Sequence, residues 1–200
     1  MASRLFAALY DPVMWLPERW RLTAVRRSLL RQARGRVIEL GVGTGLNLPL
    51  YPKGAVQGVW AVEPDPWMLA RARGRARRSP VPVELVQAEG EKLPFPAASF
   101  DTAVVTLVLC SVADPWRAVH ELFRVLRPGG TLLVFEHVRS RSPAYRRLQE
   151  AVAPAWRRMA AGCRLDQDPE PLIAARFEVV ARTYRDGPLP LLTLVARRGR

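Results

Sequence analysis

Apolar residues in this chain fall into short unbroken runs, separated by clusters of Gly, Pro and charge. RVIEL (36–40), GVWAVEP (58–64), VPVELVQAEG (81–90), FDTAVVTLVLCSV (100–112) and TLLVFEHV (131–138) each carry a β-branched or aliphatic core. Between them lie stretches with helical spacing, in which apolar positions recur every three or four residues among arginines: 16–34, 68–78, 116–126 and 143–163. Strand-length apolar runs alternating with helices predict a parallel sheet covered on both faces. The last two runs, FEVVARTY (177–184) and LPLLTLVARR (189–198), have no helix between them and predict a hairpin. That hairpin places one antiparallel strand on the otherwise parallel sheet. No repeat, low-complexity tract or linker divides the chain, so a single domain over 1–200 is expected, with 1–34 leading into a core over 35–200.

Composition narrows the setting. Nearly half of the 200 residues are hydrophobic, enough for a real core. The longest apolar run, 103–113, is too short to cross a bilayer and reads as a buried strand. The first twenty residues break their apolar run with Pro and charge, so no signal peptide is expected and the reading is cytoplasmic. The net charge of +13 is carried almost wholly by arginine, since Lys53 and Lys92 are the only lysines. Such a surface attracts nucleic acid, anionic membrane or an acidic substrate, although a coding bias toward Arg explains it equally well. Cys110 and Cys163 lie far apart in sequence and fit no metal-ligand spacing, so free thiols and no metal are expected.

The chemistry is concentrated after the first strand, in ELGVGTGLNLPLY (39–51). Gly41, Gly43 and Gly45 follow a strand end, where open α/β sheets bind ligands and where glycine lets backbone approach them closely. The dinucleotide fingerprint GxGxxG needs its third glycine where this chain has Leu46. Glu63 closes the second strand, at the place where an acid accepts both hydroxyl protons of a ribose. After the third strand, Glu89 is placed to accept from an adenine amino group, with Ala88 and Gly90 leaving backbone amides open to the ring. Pro128, Gly129 and Gly130 read as a turn and nothing more.

ELGVGTG, the strand-end Glu63, AEGEKLPFPAASFD and RVLRPGG, in that order, resemble the class I S-adenosylmethionine-dependent methyltransferases of the type 11 domain. The resemblance is strongest over 35–138. It implies a Rossmann-like, three-layer αβα fold whose seven-stranded sheet ends in the reversed hairpin already read. It also implies S-adenosylmethionine as cofactor and S-adenosylhomocysteine as product. Glu39, Gly41, Gly43, Thr44, Gly45 and Asn47 would line the methionine and ribose end. Glu63 and Pro64 would meet the ribose; Ala88, Glu89 and Gly90 the adenine; Thr106 and Leu107 the methionine end. Glu89 stands where relatives often carry Asp. The second half, with TLVLCSV, FEHV, PAW and AGCRLDQD, is similar to small membrane-associated thiol S-methyltransferase-like proteins and to bacterial phospholipid N-methyltransferases, with quinone C-methyltransferases more distant.

The implied activity is methyl transfer to a small-molecule or lipid-like acceptor, a thiol or an amine by preference. His137, at the end of the fifth strand, is the candidate general base, against an equal reading as a structural histidine. Tyr51, Cys110 and Ser111 are candidate acceptor contacts, and Tyr10 and Trp15, with Trp20, belong to a helical lid over 1–34. The helix over 144–159 sets Arg146, Arg147, Arg157 and Arg158 among Leu148, Val152, Trp156 and Met159. It reads first as a sheet-covering helix with a solvated basic face, and second as a peripheral contact with anionic membrane. Two alternatives stand beside this reading. A nucleic-acid methyltransferase would use the charge, but TLVLCSV lacks the Asn/Asp-Pro-Pro-aromatic turn of amino-group enzymes, which argues against nucleic acid. A cofactor-binding protein without turnover is the other.

Overall fold

The computed structural model describes residues 4–199; the side chains of Pro17 and Trp20 lie outside the described set, and with them the ring of Trp20 expected in the lid. Seven strands, β1 (Gly35–Leu40), β2 (Val56–Val62), β3 (Val83–Val86), β4 (Phe100–Thr106), β5 (Leu126–His137), β6 (Glu178–Arg185) and β7 (Leu191–Arg197), form one sheet in the order β3-β2-β1-β4-β5-β7-β6. β7 alone runs antiparallel to both its neighbours. Strand order reverses between β1 and β4, and in such sheets the crevice at the carboxyl ends of these two strands is the ligand site.

The alternation along each central strand sorts its side chains into two cores. Ile38, Leu40, Ala103, Val105, Leu132 and Val134 face the helices α4 (Pro115–Val125) and α6 (Glu170–Ala174). Val37, Val104, Leu133 and Phe135 face α2 (Thr23–Leu30) and α3 (Pro66–Ala76). This is the expected three-layer arrangement, and it explains why these strands are apolar on both faces. Each of α3 and α4 begins at an aspartate whose carboxylate accepts backbone N–H groups, Asp65 from Trp67 and Met68, and Asp114 from Arg117. A proline at the first helical position completes both starts.

Two expectations need correction. Helix does not begin near residue 16: α1 (Arg4–Pro17) and a π-helical turn (Glu18–Leu22) precede α2. Pro12 and Pro17, which read as breaks, are accommodated, with Pro12 on the exposed side. After the glycine turn the chain makes only a 3-10 turn at Leu48–Leu50, since Pro52 lacks the N–H that would bond the Leu48 carbonyl. Finally, α5 (Pro143–Met159) does not cover the sheet: Gln149 is its one buried side chain.

The α4 core gives a direct check on this packing. Leu122 is fully buried between α4 and the sheet. Leu122→Ala is expected to cost about 2–5 kcal/mol of stability, read from chemical denaturation, since the close-packed site cannot collapse around the lost volume.

Candidate active site

The site is built from the carboxyl ends of β1, β2, β4 and β5. Gly41, Gly43 and Gly45 all adopt positive φ, so the turn needs glycine at each, but for different reasons. A Cβ on Gly41 would strike Val108, and one on Gly45 would press on Leu48 and α3. Only Gly43 opens onto free space, and it is the one glycine here that leaves room for a ligand. Its N–H donates to Glu63 Oε2 at 2.9 Å, and the N–H of Asp65 donates to Glu63 Oε1 at 3.1 Å. Burial raises the Glu63 pKa, and these two backbone donors work against that rise. Each carboxylate oxygen keeps a second lone pair, so the group, held from behind, can still accept two hydroxyls. Pro64, next in the chain, is exposed and offers its carbonyl to Gln87.

Behind the turn lies a buried polar network that sequence reading did not find. Glu39 Oε1 accepts from Asn47 Nδ2 at 2.9 Å, and Oε2 accepts from Tyr51 Oη at 2.8 Å. Arg26 donates to Glu18 Oε1, Asn47 Oδ1 and Thr106 Oγ1 at 3.0, 3.0 and 2.8 Å, and Asn47 also donates to Thr106. Desolvation pushes the Glu39 pKa up to about 7 despite its hydrogen bonds to Tyr51 and Asn47 and the nearby Arg26 charge. Tyr51 is therefore not an acceptor contact: it is 2% exposed and spent on Glu39. Glu39 and Asn47 likewise shape the turn from behind, and both side chains are wholly buried.

α1 lies across the turn. Asp11 accepts from Thr44 Oγ1 at 2.7 Å and from Arg75 on α3 at 2.9 Å, and Arg75 also donates to the Thr44 carbonyl. The Thr44 hydroxyl is thus committed to the lid. Tyr10 is half-buried beside Arg26, Glu18 and Cys110; burial raises its pKa to about 12, with Arg26 working in the opposite direction. Trp15 does not line the site: it is 61% exposed and lies under the Arg19 guanidinium. At the far side, Leu107 holds a positive φ of 59° as its N–H donates to Phe135, a strained conformation of the kind that gathers at functional sites. After β3, Ala88 is half-buried and Glu89 exposed, while Gly90 is required because a Cβ would sit 2.8 Å from Leu40.

The candidates from the second half meet in a way that their spacing hides. Cys110 and Cys163, 53 residues apart in sequence, bring their Sγ atoms to 3.5 Å, and His137 Nε2 lies 3.0 Å from Cys163. Hydrogen bonds from Cys110, His137 and Trp156 hold the Cys163 thiol well below the usual range against the opposing effect of burial. The same contact to Cys163, with burial, pushes Cys110 up. Burial lowers His137, but the bond to Cys163, the Cys163 charge and the nearby Glu136 charge together outweigh it, and its pKa rises. His137 is therefore engaged with a sulfur and is not a free base, and its Nδ1 is buried without a partner. Ser111 is exposed, at the rim of this cluster.

Comparison with known proteins accords with this geometry. Residues 38–134 match a family model described as a methyltransferase domain. The chain is 32% identical over 186 residues to thiol S-methyltransferase TMT1B of Homo sapiens, covering 86% of this chain and 75% of that one. It is 37% identical over 157 residues to phosphatidylethanolamine N-methyltransferase of Cereibacter sphaeroides, covering 74% and 73%. A solved SAM-dependent methyltransferase of Thermotoga maritima, described as a possible histamine N-methyltransferase, superposes with a TM-score of 0.71 at 25% identity, over 97% of this chain and 96% of that one.

Two measurements check this description. Glu63→Ala is expected to weaken S-adenosylhomocysteine binding about tenfold in calorimetry, the ~1.4 kcal/mol of a lost charged hydrogen-bond pair; unchanged affinity would remove Glu63 from the ribose. The second concerns pH. Glu39 ionises near its ordinary 4.5 when unfolded but only at about 7 when folded. Between those values the folded state holds the extra proton, so stability falls as pH rises. Glu136 is shifted to about 7 as well and contributes a slope of the same sign. Cys163, lowered to about 4, contributes the opposite slope, so Glu39→Gln is expected to make the denaturation free energy fall less, or rise more, than in wild type between pH 4.5 and about 7, read from denaturation at a series of pH values.

Proposed function

The chain belongs to the class I S-adenosylmethionine-dependent methyltransferases, and from that premise we propose that it methylates the sulfur of a small lipophilic thiol drawn from an anionic membrane surface. The observation that carries this reading is a pair of exposed apolar stripes. On α1, Leu5, Leu9, Val13 and Leu16 stand outward; on α5, Tyr145, Leu148, Val152, Trp156 and Met159 do the same. Arg146, Arg147, Arg157 and Arg158 accompany the second stripe. Apolar residues among arginines, left uncovered by the fold, suit a helix lying in the headgroup region of anionic lipid. No described helix is long and apolar enough to cross a membrane, so this contact is peripheral.

Both helices lead to the same place. Tyr10 of α1 lies within electrostatic reach of Cys110, and Trp156 of α5 helps lower the Cys163 pKa. An acceptor entering between the two helices would reach the Cys110 side of the carboxyl ends of β4 and β5. The similarity to thiol S-methyltransferases, extending over 86% of this chain for the human protein, favours sulfur as the methylated atom.

The cofactor supplies the reactive sulfonium methyl. The protein's part is to bind, align and exclude water. Glu63 would accept the ribose hydroxyls, Gly43 would leave room for the ligand beside it, and Thr106 and Leu107 would border the methionine end. With Asp11 clasped to Thr44 and Arg75, α1 closes the turn from solvent, which suits an in-line displacement that needs alignment more than acid-base help. A thiolate attacking a sulfonium loses charge in the transition state, so a dry, apolar site favours the reaction.

The phospholipid amine is the second reading, favoured by the 37% identity to the phosphatidylethanolamine enzyme. A labelled-methyl assay over anionic vesicles, offering an alkanethiol, glutathione, phosphatidylethanolamine and a demethylated quinol in parallel, separates the two. Label is expected in the alkanethiol at least about tenfold above the others. The paired change Leu148→Asp and Val152→Asp is expected to abolish vesicle cosedimentation while leaving S-adenosylhomocysteine binding intact. Label chiefly in phosphatidylethanolamine would replace this acceptor with the amine.

A further inference from the structure

We infer that Cys110, His137 and Cys163 form a binding site for a single thiophilic divalent cation of the zinc type, with three protein ligands. The residues come from three separate elements: the loop after β4, the last position of β5 and the segment after α5. All three are buried, and their ligand atoms lie within 4.8 Å of one another. A tetrahedral ion with metal–sulfur bonds of about 2.3 Å and a metal–nitrogen bond of about 2.0 Å sets its sulfurs about 3.8 Å apart and each sulfur about 3.5 Å from the nitrogen. The two sulfurs stand at 3.5 Å, and His137 Nε2 and Cys163 Sγ at 3.0 Å. Those two distances need to open by up to about half an ångström, and the Cys110–His137 separation, within 4.8 Å, needs to close by up to about 1.3 Å, to seat an ion. The donor set of two sulfurs and one imidazole is soft, and selects zinc-like ions over magnesium or calcium.

The backbone holds the ligands in register without help from an ion. Arg164 donates its N–H to the Cys110 carbonyl at 2.9 Å, and its guanidinium reaches the carbonyl of Val112 at 2.8 Å. The residue after one cysteine therefore clamps the loop that carries the other. A disulfide would account for the sulfurs but would leave the imidazole aimed at Cys163 without a purpose. Three ligands leave the fourth position of such an ion to water or an external thiolate. This site stands on its own geometry and does not depend on which acceptor the protein methylates.

The test uses the full chain, reduced and stripped of metal. Zinc is titrated against a chromophoric chelator, and the reaction of the two thiols with an aromatic disulfide reagent is timed before and after. One zinc per chain is expected, with both thiols slowed at least about tenfold. Cobalt in place of zinc is expected to give a thiolate-to-metal charge-transfer band and the visible spectrum of a tetrahedral ion. Cys163→Ser should lower zinc affinity about a hundredfold or more while S-adenosylhomocysteine still binds, which reports an intact fold. Should that variant fail to fold, the wild-type titration and cobalt spectrum decide alone. The site is overturned by zinc that fails to compete with the chelator, by thiols equally reactive with and without it, by an octahedral cobalt spectrum, or by a folded Cys163→Ser chain of unchanged affinity.

Discussion

Arg26 carries a positive charge into a place almost closed to water, and the parts of the site are arranged around it. Its guanidinium meets Glu18 from the π-helical turn, Asn47 from the end of the glycine turn and Thr106 from the end of β4. A buried charge of this kind is costly unless every donor finds a partner, and removing one partner of such a pair typically costs about 3–5 kcal/mol. That penalty ties the N-terminal helices to the sheet in one orientation. Asn47 passes the constraint on to Glu39, and Glu39 to Tyr51, so the residues behind the turn are fixed as one hydrogen-bonded unit.

With its back fixed in this way, the turn can leave its front open. Glu63 is oriented from behind by the N–H groups of Gly43 and Asp65, and Gly43 presents no side chain where a ligand would approach. α1 then lies over the turn through Asp11, held to Thr44 and Arg75. The three glycines that look equivalent in the sequence divide their work: two permit close packing and one makes room. The same topology brings the loop after β4, the end of β5 and the chain after α5 to one neighbourhood, which is how two cysteines and a histidine come together.

The strands and the one antiparallel member were legible because buried strands write themselves as apolar runs and because the last two are joined with no helix between them; the order of the strands was not read. The glycine turn and Glu63 were legible from position alone, as residues at strand ends. What stayed hidden depends on burial and on long-range pairing. Tyr51 follows the turn, as an acceptor contact would, and only its burial against Glu39 gives it a different role. Arg26 is one arginine among many, and nothing local marks it as the one that turns inward. The apolar stripe of α5 is periodic and easy to read, but periodicity does not say whether the fold covers it, and here it does not. Cys110 and Cys163 carry no spacing signal at all; their meeting is a property of the sheet order. Asp65 was passed over, although an aspartate followed by proline after a strand marks a helix start.

The cleft at the ends of β1, β2 and β4 is expected to hold the methyl-donating nucleoside. A crystal structure with S-adenosylhomocysteine tests it most directly. The ribose hydroxyls are expected on the Glu63 carboxylate, the adenine toward Ala88–Gly90, and the sulfur at the Thr106–Leu107 end, under α1. A nucleoside lodged elsewhere would contradict it, for example in the groove of about 360 Å³ between α2 and the β6–β7 face lined by Arg21 and Arg182, with Glu63 left untouched.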